Sequence, residues 1–356
     1  MITTLSINNY GCVRAIELGL SPLHVLVGPN DAGKSTLLRA MRTIAQFASG
    51  SFTDDGTGPK PFDPWLPPSE AFALPLPWLG AHTPRGSYHL SCDQGKLTEA
   101  FEAPVFGPAS TNRLLKKPSN STTNENYAPV LREIGPARLL RLDPDALRRP
   151  TPIVREGQPI DFADDRGTGL ASVLQVMNGQ DVDRFVELQR RAREQFPALQ
   201  RLQLGFDGAA TPNVLLRATL TDGTSIDASR FGEGLLYFLA FAALEFLAPA
   251  PLVLVESPEQ GLHPARVRHV IAALRALHQA TGTQIVMATQ SPLVIDEMRP
   301  EEVTVVTRPN HERGTVVTPL ERTPAFARRD ASQGLGRLWA AGANGVDERG
   351  LLTGEV

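Results

Sequence analysis

Leu23-His24-Val25-Leu26-Val27-Gly28-Pro29-Asn30-Asp31-Ala32-Gly33-Lys34-Ser35-Thr36 decides how the rest of the chain is read. Its first residues form an apolar run ended by a glycine, the pattern of a buried parallel strand. The stretch Gly28–Ser35 then matches GxxxxGK[ST], the phosphate loop. Its glycines let the backbone curl so that successive amides face one anion. Lys34 adds a mobile charge for the β- and γ-phosphates, and the Ser35 hydroxyl can ligate Mg²⁺. A helix is expected from Lys34 to about Ala45. Strand, loop and helix in this order make the match specific. Gly28, Pro29, Asn30, Asp31, Ala32, Gly33, Lys34, Ser35 and Thr36 form the expected phosphate-binding set.

Upstream, residues 2–7 and 13–20 read as two short strands joined by a turn at Asn8–Gly11. Downstream, 50–80 are rich in Gly and Pro and 108–128 in Ser, Thr, Asn and Pro, so both read as long loops. Ser87–Leu90, Leu97–Val105 and Ala137–Leu142 are strand candidates. From Gly169 to Phe196 the pattern is helical, with Phe185, Leu188, Ala192 and Phe196 at helix spacing and Pro197 as its stop. Residues 200–206 and 213–220 alternate like strands, and Thr221-Asp222-Gly223-Thr224 is a hairpin turn. A helix over about Gly234–Leu247 leads to the strand Leu252–Glu256. The helix after Pro264 shows an apolar stripe of Val267, Val270, Ile271, Leu274 and Leu277. The strand Gln284–Ala288, a short helix after Pro292, and a hairpin of Val303–Thr307 with Thr315–Thr318 follow. This is an α/β pattern with a mostly parallel core sheet and an N-terminal antiparallel β part. The expected division is one bilobed domain. Its core is 1–50 with 250–320, followed in sequence terms by a loop-rich insertion at 51–165, a helical lobe at 166–249 and a tail at 321–356.

Two further stretches carry chemistry. Pro251–Glu256 is an apolar strand ending in a carboxylate. Beside a phosphate loop, such an acid holds Mg²⁺ directly or through water; the plainer alternative is a buried strand with an acid at its surface end. In Ser229-Arg230-Phe231-Gly232-Glu233-Gly234-Leu235-Leu236, glycines opening a helix either present amides to an anion or simply start the helix.

Taken in order, these motifs resemble the ABC-type ATPase heads of the RecF, SMC and OLD class, and more narrowly the bacterial AAA family ATPases. The likeness spans nearly the whole chain. It includes Leu140-Arg141-Leu142-Asp143-Pro144, Thr168-Gly169-Leu170-Ala171, Phe231–Gly234, Glu256-Ser257-Pro258-Glu259-Gln260-Gly261-Leu262-His263-Pro264 and Ala288-Thr289-Gln290-Ser291-Pro292. The resemblance implies a P-loop NTPase of ABC type with ATP and Mg²⁺ as cofactors and Ser35 and Glu256 on the metal side. It also implies that Gly232, Glu233 and Gly234 form the signature motif, which meets the γ-phosphate held by another copy, so a homodimer is expected. Leu262-His263-Pro264 falls at the dimer seam, and Gln290 stands where relatives place a γ-phosphate-sensing histidine. One departure is chemical. Relatives follow the strand-end acid with a glutamate that orients the attacking water, and here Ser257 stands in that place. Glu259 is the candidate substitute, the plainer alternative being an acid that caps the turn or pairs with an arginine, and the expected catalytic set is Glu256, Glu259 and Gln290. Gly232 also replaces the signature serine.

The rest of the chain narrows the function classes. At 356 residues, 42% hydrophobic and 21% charged, the chain can bury a large core. Its net charge of −3 gives no general pull toward nucleic acid. Arg148-Arg149 and Arg190-Arg191-Ala192-Arg193 read as solvated helix faces or as nucleic-acid contacts. Cys12 and Cys92 have no metal-like spacing, and a reducing compartment fits them. Leu235–Val255 is almost wholly apolar, but Glu245, Pro249 and Pro251 disfavour a membrane span. A buried helix followed by a buried strand is expected instead. With no leader pattern at Met1–Leu5, a cytoplasmic protein without a membrane segment is expected. No heptad run supports a coiled coil. After residue 318 about 38 residues remain, fewer than the ~50 a domain needs, so DNA cleavage is expected to require another protein. Two function classes stand: an ATP-driven enzyme, and an ATP-held switch with little hydrolysis that gates a separate nuclease or toxin. The resemblance adds DNA maintenance or antiviral defence as settings.

Overall fold

The computed structural model describes residues 1–48, 85–92, 95–102, 132–154, 160–208, 212–310, 313–328 and 334–343. The expected loops at 50–80 and 108–128 lie outside these residues. In chain order the strands and helices are β1 (Ile2–Tyr10), β2 (Val13–Gly19), β3 (Leu23–Val27), α1 (Lys34–Ala48), β4 (Arg85–Cys92), β5 (Gly95–Glu102) and β6 (Arg138–Leu140). Then come α2 (Pro144–Leu147), β7 (Thr151–Pro152), α3 (Leu170–Gln180), α4 (Val182–Gln195), β8 (Leu199–Phe206), β9 (Asn213–Leu220) and β10 (Ser225–Asp227). They are followed by α5 (Glu233–Ala243), β11 (Leu252–Glu256), α6 (Pro264–Thr281), β12 (Gln284–Thr289) and α7 (Pro292–Asp296). Last are β13 (Val303–Thr307), β14 (Val316–Pro319), α8 (Pro324–Arg328) and α9 (Leu335–Ala343). The chain forms two compact units. The first holds 1–138, 250–255 and 283–356, and the second holds 139–249 and 256–282.

The first unit contains an antiparallel sheet of order β2-β1-β4-β5. In it Leu5 faces Leu18 and Leu90, and Ile7 faces Ile16. β1 runs past the expected turn to Tyr10, because Tyr10 pairs with Val13 and its hydroxyl meets Thr43 Oγ1 of α1 at 3.2 Å. That confines the turn to Gly11 and Cys12, with Gly11 at φ 54. The unit's other sheet is built on β3, parallel to both β12 and β13, and β14 closes its edge antiparallel to β13. β12 lies between β3 and β11. All of β3 is buried, and Val25, Leu26 and Val27 are at most 1% exposed. Each such side chain contributes about 1.5–3 kcal/mol by leaving water. Gln284, at the start of β12, ties the two sheets together. Its Oε1 accepts from Ile2 N at 2.9 Å, and its Nε2 donates to Ile2 O and Ser21 O. A buried amide satisfied on both ends fixes register as well as contributing stability.

In the second unit, β9 is flanked by β8 on one side and by β7 and β10 on the other. The single helical stretch expected over 169–196 is two helices. Asp181 leaves helical geometry (φ −146, ψ 74), and its carboxylate caps α4 through Arg184 N. Apolar spacing alone cannot show such a break, because both helices bury one face of the same core. α5 buries Leu235–Phe241 all round, so the apolar run beginning at Leu235 is a buried helix followed by the buried strand β11. It stops at Ala243 and passes through a 3₁₀ turn at Leu244–Phe246, short of the expected Leu247. α6 starts at Pro264, capped by His263 Nδ1 accepting from Ala265 N. It ends at Gly282 in the left-handed conformation (φ 73) and buries the expected stripe. Among the described residues no helix is long and apolar enough to cross a membrane.

Candidate nucleotide site

The phosphate loop lies in the first unit between β3 and α1, and α1 begins at Lys34 as the motif requires. Two of its glycines are demanded by their surroundings. A Cβ on Gly28 would overlap the Val306 carbonyl of β13. Gly33 sits at φ +103, and a Cβ there would overlap Thr315 Oγ1 and come within 2.9 Å of Cys12 Sγ. Thr315 and Cys12 support the loop from behind. Thr315 Oγ1 donates to Ala32 O at 2.9 Å, Thr315 N to Cys12 O at 2.9 Å, and Cys12 Sγ lies 3.2 Å from Thr315 Oγ1 and 3.5 Å from Thr36 Oγ1. Lys34 is 8% exposed and folds over the loop, donating to Gly28 O at 2.7 Å and Pro29 O at 2.6 Å. Asn30 and Asp31 stand exposed at the loop's crown, Asp31 at φ 61. Gln290, just past β12, donates to Asn30 Oδ1 at 2.6 Å, so the structure brings it onto the loop. Trp339 of α9 holds it there, its Nε1 donating to Gln290 O at 3.1 Å.

His24 is buried on β3 between Ser21 Oγ and Thr304 Oγ1, each 3.0 Å from a ring nitrogen. Burial drives its pKa from 6.5 down to about 4, against the opposing pull of the Glu302 carboxylate. The strand that delivers the loop therefore carries a neutral imidazole at ordinary pH.

β11 passes from the first unit into the second at Glu256. There Glu256 Oε2 is paired with Arg141 Nε at 2.6 Å. Ser257 takes the left-handed conformation (φ 51) and accepts from Gln260 N, so the chain turns sharply straight after Glu256. Glu259 is half-buried within this turn, and its carbonyl accepts from Leu262 N. Gly232 is the N-cap of α5 and makes no side-chain cap, while Gly232 and Glu233 stand exposed. Arg148 steadies this helix start by donating to Phe231 O at 3.2 Å. A Cβ on Gly261 (φ +68) would overlap the Tyr237 ring and lie 3.1 Å from Glu233 Oε2. The turn after β11 thus packs onto the start of α5. Burial raises the Tyr237 pKa to about 12, with Glu233 and Asp143 adding to the effect, and its hydroxyl donates to Leu142 O at 3.4 Å. Of the arginine clusters, Arg190 is held within its own helix by Glu187 and Glu194, as on a solvated face.

Sequence reasoning missed Thr315, Cys12, Trp339 and the partner of Arg141. Each acts through a contact distant in sequence, so no local pattern marks it.

Residues 99–296, more than half of the chain, match the family described as "AAA domain, putative AbiEii toxin, Type IV TA system". The chain belongs to this family. Residues 1–71 of this AAA ATPase also match a family described as "AAA ATPase domain". An "OLD nuclease" of Thermus scotoductus (strain ATCC 700910 / SA-01) is 22% identical over 89% of the chain, which spans 64% of that relative's length. Among solved structures, one described as "Crystal structure of the SmcHead bound to the C-winged helix domain of ScpA" covers 90% of the chain and 99% of its own. It has a TM-score of 0.51 at 14% identity. The fold is the P-loop NTPase fold seen in SMC ATPase heads.

Proposed function

We propose that this AAA ATPase binds ATP with Mg²⁺ in the phosphate loop, pairs with a second copy around the nucleotide, and uses that pairing to gate a separate effector. The observation that carries the reading is the backing of Gly28 and Gly33 by Val306, Thr315 and Cys12, which leaves no room for a side chain at either glycine. A loop so held presents its amides to phosphate without reorganising, and Lys34 can exchange its carbonyl partners for phosphate oxygens. Ser35 and Glu256 offer hydroxyl and carboxylate oxygens, the donor type Mg²⁺ takes alongside a nucleotide's own phosphates. In the pair, the start of α5 at Gly232–Gly234, where Gly232 and Glu233 are exposed, would meet the γ-phosphate bound by the other copy.

The effector reading draws on the relatives. The family description names a toxin and a toxin–antitoxin system, and the Thermus protein is named a nuclease. A nuclease or toxin partner in bacterial defence is therefore the proposed setting, with DNA maintenance and nucleic-acid contact its extensions. Ser257 favours a switch over a fast motor, because a serine is a poor base at neutral pH and hydrolysis then falls to Glu259 or proceeds slowly. The test is light scattering with ADP, with ATP and with a non-hydrolysable ATP analogue. The reading predicts a doubled mass with the triphosphates alone. A monomer in every nucleotide state contradicts the pairing.

A further inference from the structure

We propose that the C-terminal helix α9 is a clamp on Gln290, and that its seating on α7 sets how well the nucleotide site separates a triphosphate from a diphosphate. The inference rests on the reading of Gln290 as the residue that meets the γ-phosphate. Every group it uses, from the phosphate loop to α9, belongs to the first unit.

Gln290 is delivered by register. β12 runs parallel to β3 with Thr289 opposite Val27, so Gln290 leaves the sheet beside the glycine that opens the loop. It then holds two elements at once. Its Nε2 donates to Asn30 Oδ1 at 2.6 Å, and its carbonyl accepts from Trp339 Nε1 at 3.1 Å. Ser291 N donates to Thr289 Oγ1 at 2.9 Å and shapes the turn into α7. An indole carries a single donor. Trp339 therefore fixes the direction of the Gln290 carbonyl, and with it the backbone from which the Gln290 amide reaches the loop.

α9 is built to sit against α7. A first-turn amide of α9 is satisfied from α7, Asp296 Oδ1 accepting from Gly336 N at 2.7 Å. A Cβ on Gly336 would overlap the Pro292 carbonyl and the Asp296 carboxylate, so glycine permits the close approach. Leu335 and Leu338 are buried. Trp339 follows Leu335 by four residues and Gly336 by three, on the same side of the helix. Seating α9 on α7 thus sets the indole onto Gln290. A γ-phosphate competes with Asn30 for the Gln290 amide. With its backbone held, Gln290 changes partner by side-chain rotation alone, and the ordering is complete before a triphosphate arrives. ADP lacks the γ-phosphate and gains nothing from the arrangement. Reciprocity then requires a bound triphosphate to hold α9 more firmly in its seat.

The experiment measures Kd for ADP and for a non-hydrolysable ATP analogue, both with Mg²⁺. The proteins are wild type, Trp339→Phe, Gly336→Ala, Gln290→Ala and the Gln290→Ala, Trp339→Phe double variant. Trp339→Phe keeps an aromatic ring and removes the N–H. In it the preference for the triphosphate over ADP should fall by roughly three- to tenfold, the worth of one hydrogen bond. Gly336→Ala, which unseats α9 without touching Gln290, should lower the preference likewise. Gln290→Ala should lose at least as much, and adding Trp339→Phe to it should change nothing further. A preference kept in Trp339→Phe, or one that falls again by the same factor in the Gln290→Ala background, overturns the proposal. Wild-type preference in Gln290→Ala defeats the underlying reading of Gln290 and the proposal with it, as does wild type that binds neither nucleotide. If the Trp339 and Gly336 variants fail to fold, amide hydrogen exchange across residues 335–343 of wild type decides. It should be slower by a similar factor with the triphosphate than with ADP, and equal rates overturn the proposal.

Discussion

Acidification tests the link between the core and the phosphate loop through His24. The ring is 2% exposed, hydrogen-bonded to Ser21 and Thr304, and held neutral with a pKa of about 4, whereas the unfolded chain takes up the proton near 6.5. Between those values the unfolded state binds more protons, so stability must fall as pH falls through this window. Above 6.5 the contribution is fully present, and below about 4 the loss is complete. The whole gap corresponds to about 3 kcal/mol, and lowering the pH from about 7 to about 5 removes about 2 of it. That is a large share of the ~5–15 kcal/mol that holds a domain folded. Because β3 leads directly into Gly28, ATP affinity should weaken over the same interval. The assay is urea unfolding of wild type and His24→Asn at both pH values. Carboxylates titrate in both proteins, so the difference in slope isolates the imidazole. Wild type should lose about 2 kcal/mol more than the variant. Equal losses would refute the assignment of a buried, neutral His24.

Gly33→Ala forces a Cβ at φ +103 into Thr315 and Cys12, and calorimetry should show ATP affinity reduced at least about tenfold; wild-type affinity would refute the fixed-loop picture. The switch reading predicts low steady-state phosphate release from wild type and a rise of about 10²- to 10⁴-fold in Ser257→Glu. Brisk wild-type release abolished by Glu259→Gln, with ATP binding intact, would instead assign the base to Glu259.

Much of the fold was legible because its strongest signals are local. β3 and β11 have the limits their apolar runs predict, and every residue of the α6 stripe is buried. The helix break at Asp181 was not legible, since a capping aspartate looks like any polar residue on an exposed face. In the candidate site, the curl of the phosphate loop is dictated by Gly28 and Gly33 and could be read directly. What braces it could not. Thr315 reaches Ala32, and Trp339 reaches Gln290, across long stretches of chain. Arg141 was visible in a quoted motif, yet its partner Glu256 is supplied by tertiary structure alone.

The central claim is that Lys34 and the loop amides bind the phosphates of ATP. Isothermal titration of ATP·Mg²⁺ into wild type and Lys34→Ala tests it most directly. Wild type should bind saturably and the variant not measurably, because Lys34 supplies the mobile charge among fixed amides. Equal affinity in the two proteins would contradict it.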